Sequence, residues 1–153
     1  GSLLCNWLLG GEVSAKYVPF GALGMTLFTL DLYFASRGLA PPGAALTGLA
    51  AFPAEPRNWR ILADLVATSV SAGVFVVPLY AILQGRGTQT RRSRTIAANN
   101  ILNALFMVIG ALAATAMLAA GWPIPSIFLA VAIANGVVAI VIRGLLPGRE
   151  TTT

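Results

Sequence analysis

The chain has 153 residues, of which 57% are hydrophobic and only 10% charged, with a net charge of +5. That is far more apolar than a water-soluble domain, so lipid is the expected solvent for most of its surface. A single cysteine excludes an internal disulfide, and the absence of histidine excludes His-ligated metals, Ser-His-Asp triads and histidine proton relays; neither a cofactor nor an enzymatic activity is expected. The basic residues sit at the ends of apolar runs and not along one polar face, which argues against nucleic acid as a partner.

In chain order, residues 17–36 read YVPFGALGMTLFTLDLYFAS, about 20 residues and so about 30 Å of helix, enough for one crossing. Residues 37–58 hold Pro41, Pro42, Pro53 and Pro56 with several glycines and read as a loop, with a short interfacial turn expected near Ala44 to Phe52. A second span is predicted at about 59–83, a third at about 96–120 and a fourth at about 124–142, with Gly121, Trp122 and Pro123 connecting the last two. The fold class expected is therefore all-α, a polytopic bundle of four transmembrane helices. Residues 84–95 form a polar loop carrying Arg86, Arg91, Arg92 and Arg94 and no acid. If that loop is cytoplasmic, Lys16, Arg143 and Arg149 share its side, seven basic residues against three (Arg37, Arg57, Arg60) opposite. Both ends of the chain are then expected in the cytoplasm, with Trp59, Trp122 and Tyr33 at the outer headgroup level.

Several residues are costly in lipid and so mark candidate sites. Asp31 and Asp64 each lie about five residues, or about 7 Å, inside the outer boundary of their spans, and equal depth permits a shared site. Asp64 is four residues after Arg60, so it either pairs with that arginine on one helix face or contacts a substrate; Asp31 has Arg37 and Arg57 as alternative partners. Asn99, Asn100 and Asn103 form an amide stripe that should face protein or a wet pathway, either as glue between helices or as part of a gate. Asn135 reads as packing. Pro78 predicts a kink, static or hinge-like, in the second span. Small residues four apart (Ser69 and Gly73, Gly110 and Ala114, Ala132 and Gly136) allow close helix approach.

The run RSRTIAANNILNALFMV at 92–108, preceded by VPLYAILQ at 77–84, closely resembles the bacterial lysophospholipid transporter family of the major facilitator superfamily. The opening Gly1 to Cys5 and the stretch Val18 to Leu32 are similar to it as well. The resemblance implies a C-terminal portion of a longer transporter, helices nine to twelve, in the bacterial inner membrane. It implies lysophospholipids such as lysophosphatidylethanolamine as substrate, membrane lipids and the preceding transporter helices as partners, and a possible fused or associated acyltransferase. On that mapping the second and third spans face the central pathway, favouring Asp64 and the amide stripe over Asp31 as substrate contacts. Cys5 and Leu8 replace the superfamily's Asp and Gly in the loop before helix nine, and Asn6 and Trp7 replace its charged pair. The rival reading is a membrane anchor or scaffold of an acyltransferase fusion, whose His-dependent chemistry would have to lie in another part of the polypeptide.

Overall fold

The computed structural model describes residues 17–39, 48, 51–85 and 89–145. Cys5, Leu8, Lys16, Arg86, Arg149 and most of 40–50 lie outside them. Four α-helices, α1 (Val18–Ser36), α2 (Pro56–Gly85), α3 (Gln89–Ala119) and α4 (Ile124–Leu145), make up almost all of the described residues, with a single 3-10 turn at Phe52–Ala54 before α2. Each helix holds a stretch long and apolar enough to cross a membrane. The chain is thus an all-α, multi-pass membrane protein.

Contacts between early residues of one helix and late residues of the next make consecutive helices antiparallel. One end of the bundle carries Trp59 and Trp122, the other Arg92, Arg94 and Arg143. Helix α1 lies between α2 and α4 and packs along much of its length against both, whereas α3 touches α2 and α4 at few points. Apolarity does not explain that order, since all four helices are greasy; backbone approach does. A Cβ on Gly21 would fall 2.7 Å from the Phe75 amide nitrogen and 2.9 Å from the Ser71 carbonyl oxygen, and one on Gly24 would fall 2.5 Å from Ser71 Oγ. Gly21 lets α1 and α2 meet backbone to backbone and Gly24 leaves room for the Ser71 side chain, which suits a medium where dispersion and hydrogen bonding, not water exclusion, hold helices together.

On the α4 side, Asn135 Nδ2 donates to the Ala22 carbonyl at 2.9 Å and to Thr26 Oγ1 at 2.8 Å. A Cβ on Gly136 would stand 3.4 Å from Thr26 Cγ2, and Ala132 is buried. Of the other small residues expected to mark interfaces, Gly110 has open space around it. Near the tryptophan end, Leu32 and Ala35 of α1, Ile61 of α2 and Phe128 of α4 close the core.

The ends of the helices are fastened by polar groups. Arg57 donates to the carbonyls of Ala35, at 3.2 Å, and Arg37, two acceptors left over at the end of α1. Asn58 Nδ2 reaches the Phe52 carbonyl at 2.7 Å and Trp59 Nε1 the Pro53 carbonyl at 3.0 Å, tying the 3-10 turn to α2. Helix α3 ends in a 6→1 bond from the Trp122 amide to the Met117 carbonyl at 3.1 Å, with Gly121 at φ +80°, and Pro123 then prevents continuation. The loop expected over 84–95 is corrected: α2 continues to Gly85 and α3 is already helical at Gln89, so Arg91, Arg92 and Arg94 lie on the first turns of a helix. Arginine, glutamine and alanine are good helix formers, and beyond Gly87 no glycine or proline interrupts the sequence until Gly110, so polarity alone does not end the helix there.

Candidate functional site

Two polar places stand out in this apolar bundle, one at each end. Between α2 and α3, toward the arginine end, lies a cavity of about 560 Å³. Phe75, Val76, Leu79, Ile82 and Leu83 give it an apolar wall along α2. Its polar corner is Tyr80 with Thr95, Asn99 and Asn103, the last three at four-residue spacing and so on one stripe of α3. Asn99 Nδ2 donates to the Tyr80 hydroxyl at 2.9 Å and Asn103 Nδ2 at 3.0 Å. With both amides donating to it, Tyr80 keeps its own O–H for a further acceptor, and each amide keeps its carbonyl oxygen. The corner can therefore donate and accept without carrying a formal charge.

Asn99 and Asn103 are brought together through Tyr80. Asn100 is not; it is exposed, about 100° around the helix from Asn99. Pro78 is fully buried two residues before Tyr80, and α2 runs through it as one helix. Arg92 and Arg94 are exposed, the latter adjacent to the cavity residue Thr95. Arg91 is helical, and Arg86 lies outside the described residues.

The second place is the tryptophan end of the α1–α2 interface. Arg60 donates to both oxygens of Asp31, Nε to Oδ2 at 3.0 Å and the second nitrogen to Oδ1, a fork-to-fork ion pair across the two helices. The expected Arg60–Asp64 pairing is corrected, and so is that of Asp31 with Arg37 or Arg57. Arg60 gives both of its bonds to Asp31 on the neighbouring helix, and a base one turn ahead of an acid, as Arg60 is ahead of Asp64, is the less favourable order for pairing along one helix. Arg57 is used by the α1 carbonyls, and Arg37 stacks over Tyr33, 5.2 Å from its ring centre. Asp64 is buried, 5% exposed, with its carboxyl beside that of Asp31 and its Oδ2 without a hydrogen-bond partner. Matching depth does bring the two acids together, on α1 and α2.

Asp64 and Tyr80 are sixteen residues apart on one helix, about 24 Å, so the acid pair and the cavity are separate sites. Three polar participants are not picked out by the sequence analysis: Thr95, one turn before Asn99 on the amide stripe, Tyr80 and Thr68. Tyr80 sat unremarked inside an apolar run; the signal was its place one span away from the amide stripe at similar depth. Thr68, buried at its hydroxyl without a partner, had no signal beyond its four-residue distance from Asp64. Among the described residues no cluster of acids, histidines or cysteines large enough to hold a metal occurs. Compared with known protein families, curated proteins and solved structures, the chain matches none.

Proposed function

We propose that the chain forms part of a transporter that moves lysophospholipid, such as lysophosphatidylethanolamine, across the bacterial inner membrane, and that the α2–α3 cavity receives it. The observation that carries this reading is the cavity's two-sided chemistry. A wall of Phe75, Val76, Leu79, Ile82 and Leu83 suits a single acyl chain, and the uncharged corner of Tyr80, Asn99 and Asn103 suits the hydroxyl and phosphodiester oxygens of a headgroup. The two runs that carry the family resemblance, 77–84 and 92–108, supply seven of its nine lining residues, all but Phe75 and Val76.

In this reading α3, exposed along its length, packs against the helices that precede this chain in the complete transporter, and access alternates as two halves rock about the bound lipid. The arginine end faces the cytoplasm, and the headgroup is handled by Tyr80 and its two amides. Asp64, remote from the cavity and packed against α1, has no part in headgroup contact. The test is uptake of labelled lysophosphatidylethanolamine by cells carrying the complete protein with Tyr80→Phe or Asn103→Leu. Uptake falling at least about tenfold at unchanged protein level supports the assignment, and unchanged uptake in both variants removes it.

A further inference from the structure

The three charged side chains at the tryptophan end of the α1–α2 interface do not balance. Asp31 is matched by Arg60 through two bonds. Asp64 then adds a carboxyl that is 5% exposed, lies against Asp31 and has an orphan oxygen, while the Thr68 hydroxyl one turn further along α2 is also buried without a partner. Among the described residues no other cation is placed to help. Arg57 is bonded to the end of α1 and Arg37 lies over Tyr33, whereas the only charged residue in α4, Arg143, and Arg92 and Arg94 of α3 are at the opposite end of the bundle. Glu55, just ahead of α2, is exposed and adds no positive charge.

Two ionised carboxyls facing each other are both acceptors and have nothing to donate. With one guanidinium for the two of them, bonded to Asp31, they would also leave a net negative charge inside a span, where uncompensated charge is strongly disfavoured. We propose that Asp31 and Asp64 form a proton-binding site, with a single proton held between the two carboxyls. One proton repairs both defects: it supplies the missing donor, and it brings the sum over Asp31, Asp64 and Arg60 to zero. Because the acids come from different helices, the proton also joins α1 to α2, and the site exists only while those helices are packed. This inference rests on the acid pair alone and stands whatever molecule the cavity carries.

Aspartate occurs at only two positions in the chain, 31 and 64, so carbon-13 label in aspartate side chains reports on this pair and nothing else. The test is infrared spectroscopy of the labelled chain in lipid nanodiscs at neutral pH, well above the ordinary aspartate value of about 3.9. The expected spectrum has one protonated and one ionised aspartate, with the protonated band shifting in D2O. Asp64→Asn leaves Asp31 balanced by Arg60, and Asp31→Asn frees Arg60, four residues before Asp64 on α2, to turn to it, so the protonated band is absent from each variant that keeps wild-type helicity. Three results overturn the proposal. One is two ionised aspartates in the wild type, which needs no variant to fold. Another is a protonated band that survives in Asp31→Asn, which would make it burial of Asp64 alone. The last is a band that vanishes when sodium is added, which would put a metal ion in the proton's place.

Discussion

Helices α1 and α3 are both apolar enough to cross a membrane, yet one is the packed centre of the bundle and the other is exposed along its length. The difference lies in what each offers at close range. Helix α1 presents Gly21 and Gly24, so that α2 can approach closely, and at Ala22 and Thr26 a carbonyl and a hydroxyl, already bonded to each other, that both also accept from Asn135 of α4. Helix α3 presents Ile101, Leu102, Leu105, Phe106, Met107 and Leu112, bulky side chains with no helix seated on them, and a glycine, Gly110, that nothing approaches. In lipid, large apolar side chains gain little by choosing a helix over an acyl chain. Small residues and hydrogen-bonding pairs set the order of packing.

The largest effect expected from that contrast is at Gly21. Gly21→Leu drives a side chain into the backbone of Ser71 and Phe75 and should cost about 3 kcal/mol, read as a lowered unfolding temperature in detergent, whereas Gly110→Leu on α3 should cost nothing, leucine being the better helix former. Equal effects at the two glycines would erase the distinction between the helices. A middle-sized effect belongs to the polar joints. Asn135→Leu removes both bonds to α1 and should lower stability by about 1 kcal/mol in the same assay. Tyr80→Phe leaves two amides without their acceptor and should cost a similar amount, about 1 kcal/mol, in addition to the loss of uptake described above. The smallest effect is expected inside the amide stripe itself: Asn100→Ala, on the exposed side of α3, should leave both uptake and unfolding temperature unchanged, in contrast to Asn103→Leu. If Asn100 proves as sensitive as Asn103, the functional face of α3 is not the one turned toward Tyr80.

The four helices were legible because about 20 apolar residues in succession have few alternatives. Their order of packing was not, because Gly21 and Gly24 look like any other glycines until the partner backbone is known. Basic residues at 91–94 suggested a loop, yet polarity does not break a helix and the arginines extend α3 toward its N-terminus. Depth counting put Asp31 and Asp64 at one level, which permits the contact between their carboxyls. That Arg60 serves the neighbouring helix was not legible, because its partner is set by how α1 packs on α2 and not by spacing along α2. The amide stripe was visible, whereas Tyr80, which organises it, was hidden in an apolar run, since a tyrosine reads as greasy until something donates to its hydroxyl.

Four helices are long and apolar enough to cross a membrane, and the proposed orientation puts the arginine end in the cytoplasm and the tryptophan end outside. It is tested most directly by placing single cysteines at 94 and at 122 in a chain whose sole native cysteine, Cys5, is replaced, and treating intact spheroplasts with a membrane-impermeant maleimide. Labelling at 122 in intact spheroplasts, with labelling at 94 only after the membrane is opened, is the result expected. Labelling of both from the same side, or of 94 alone, would contradict the account.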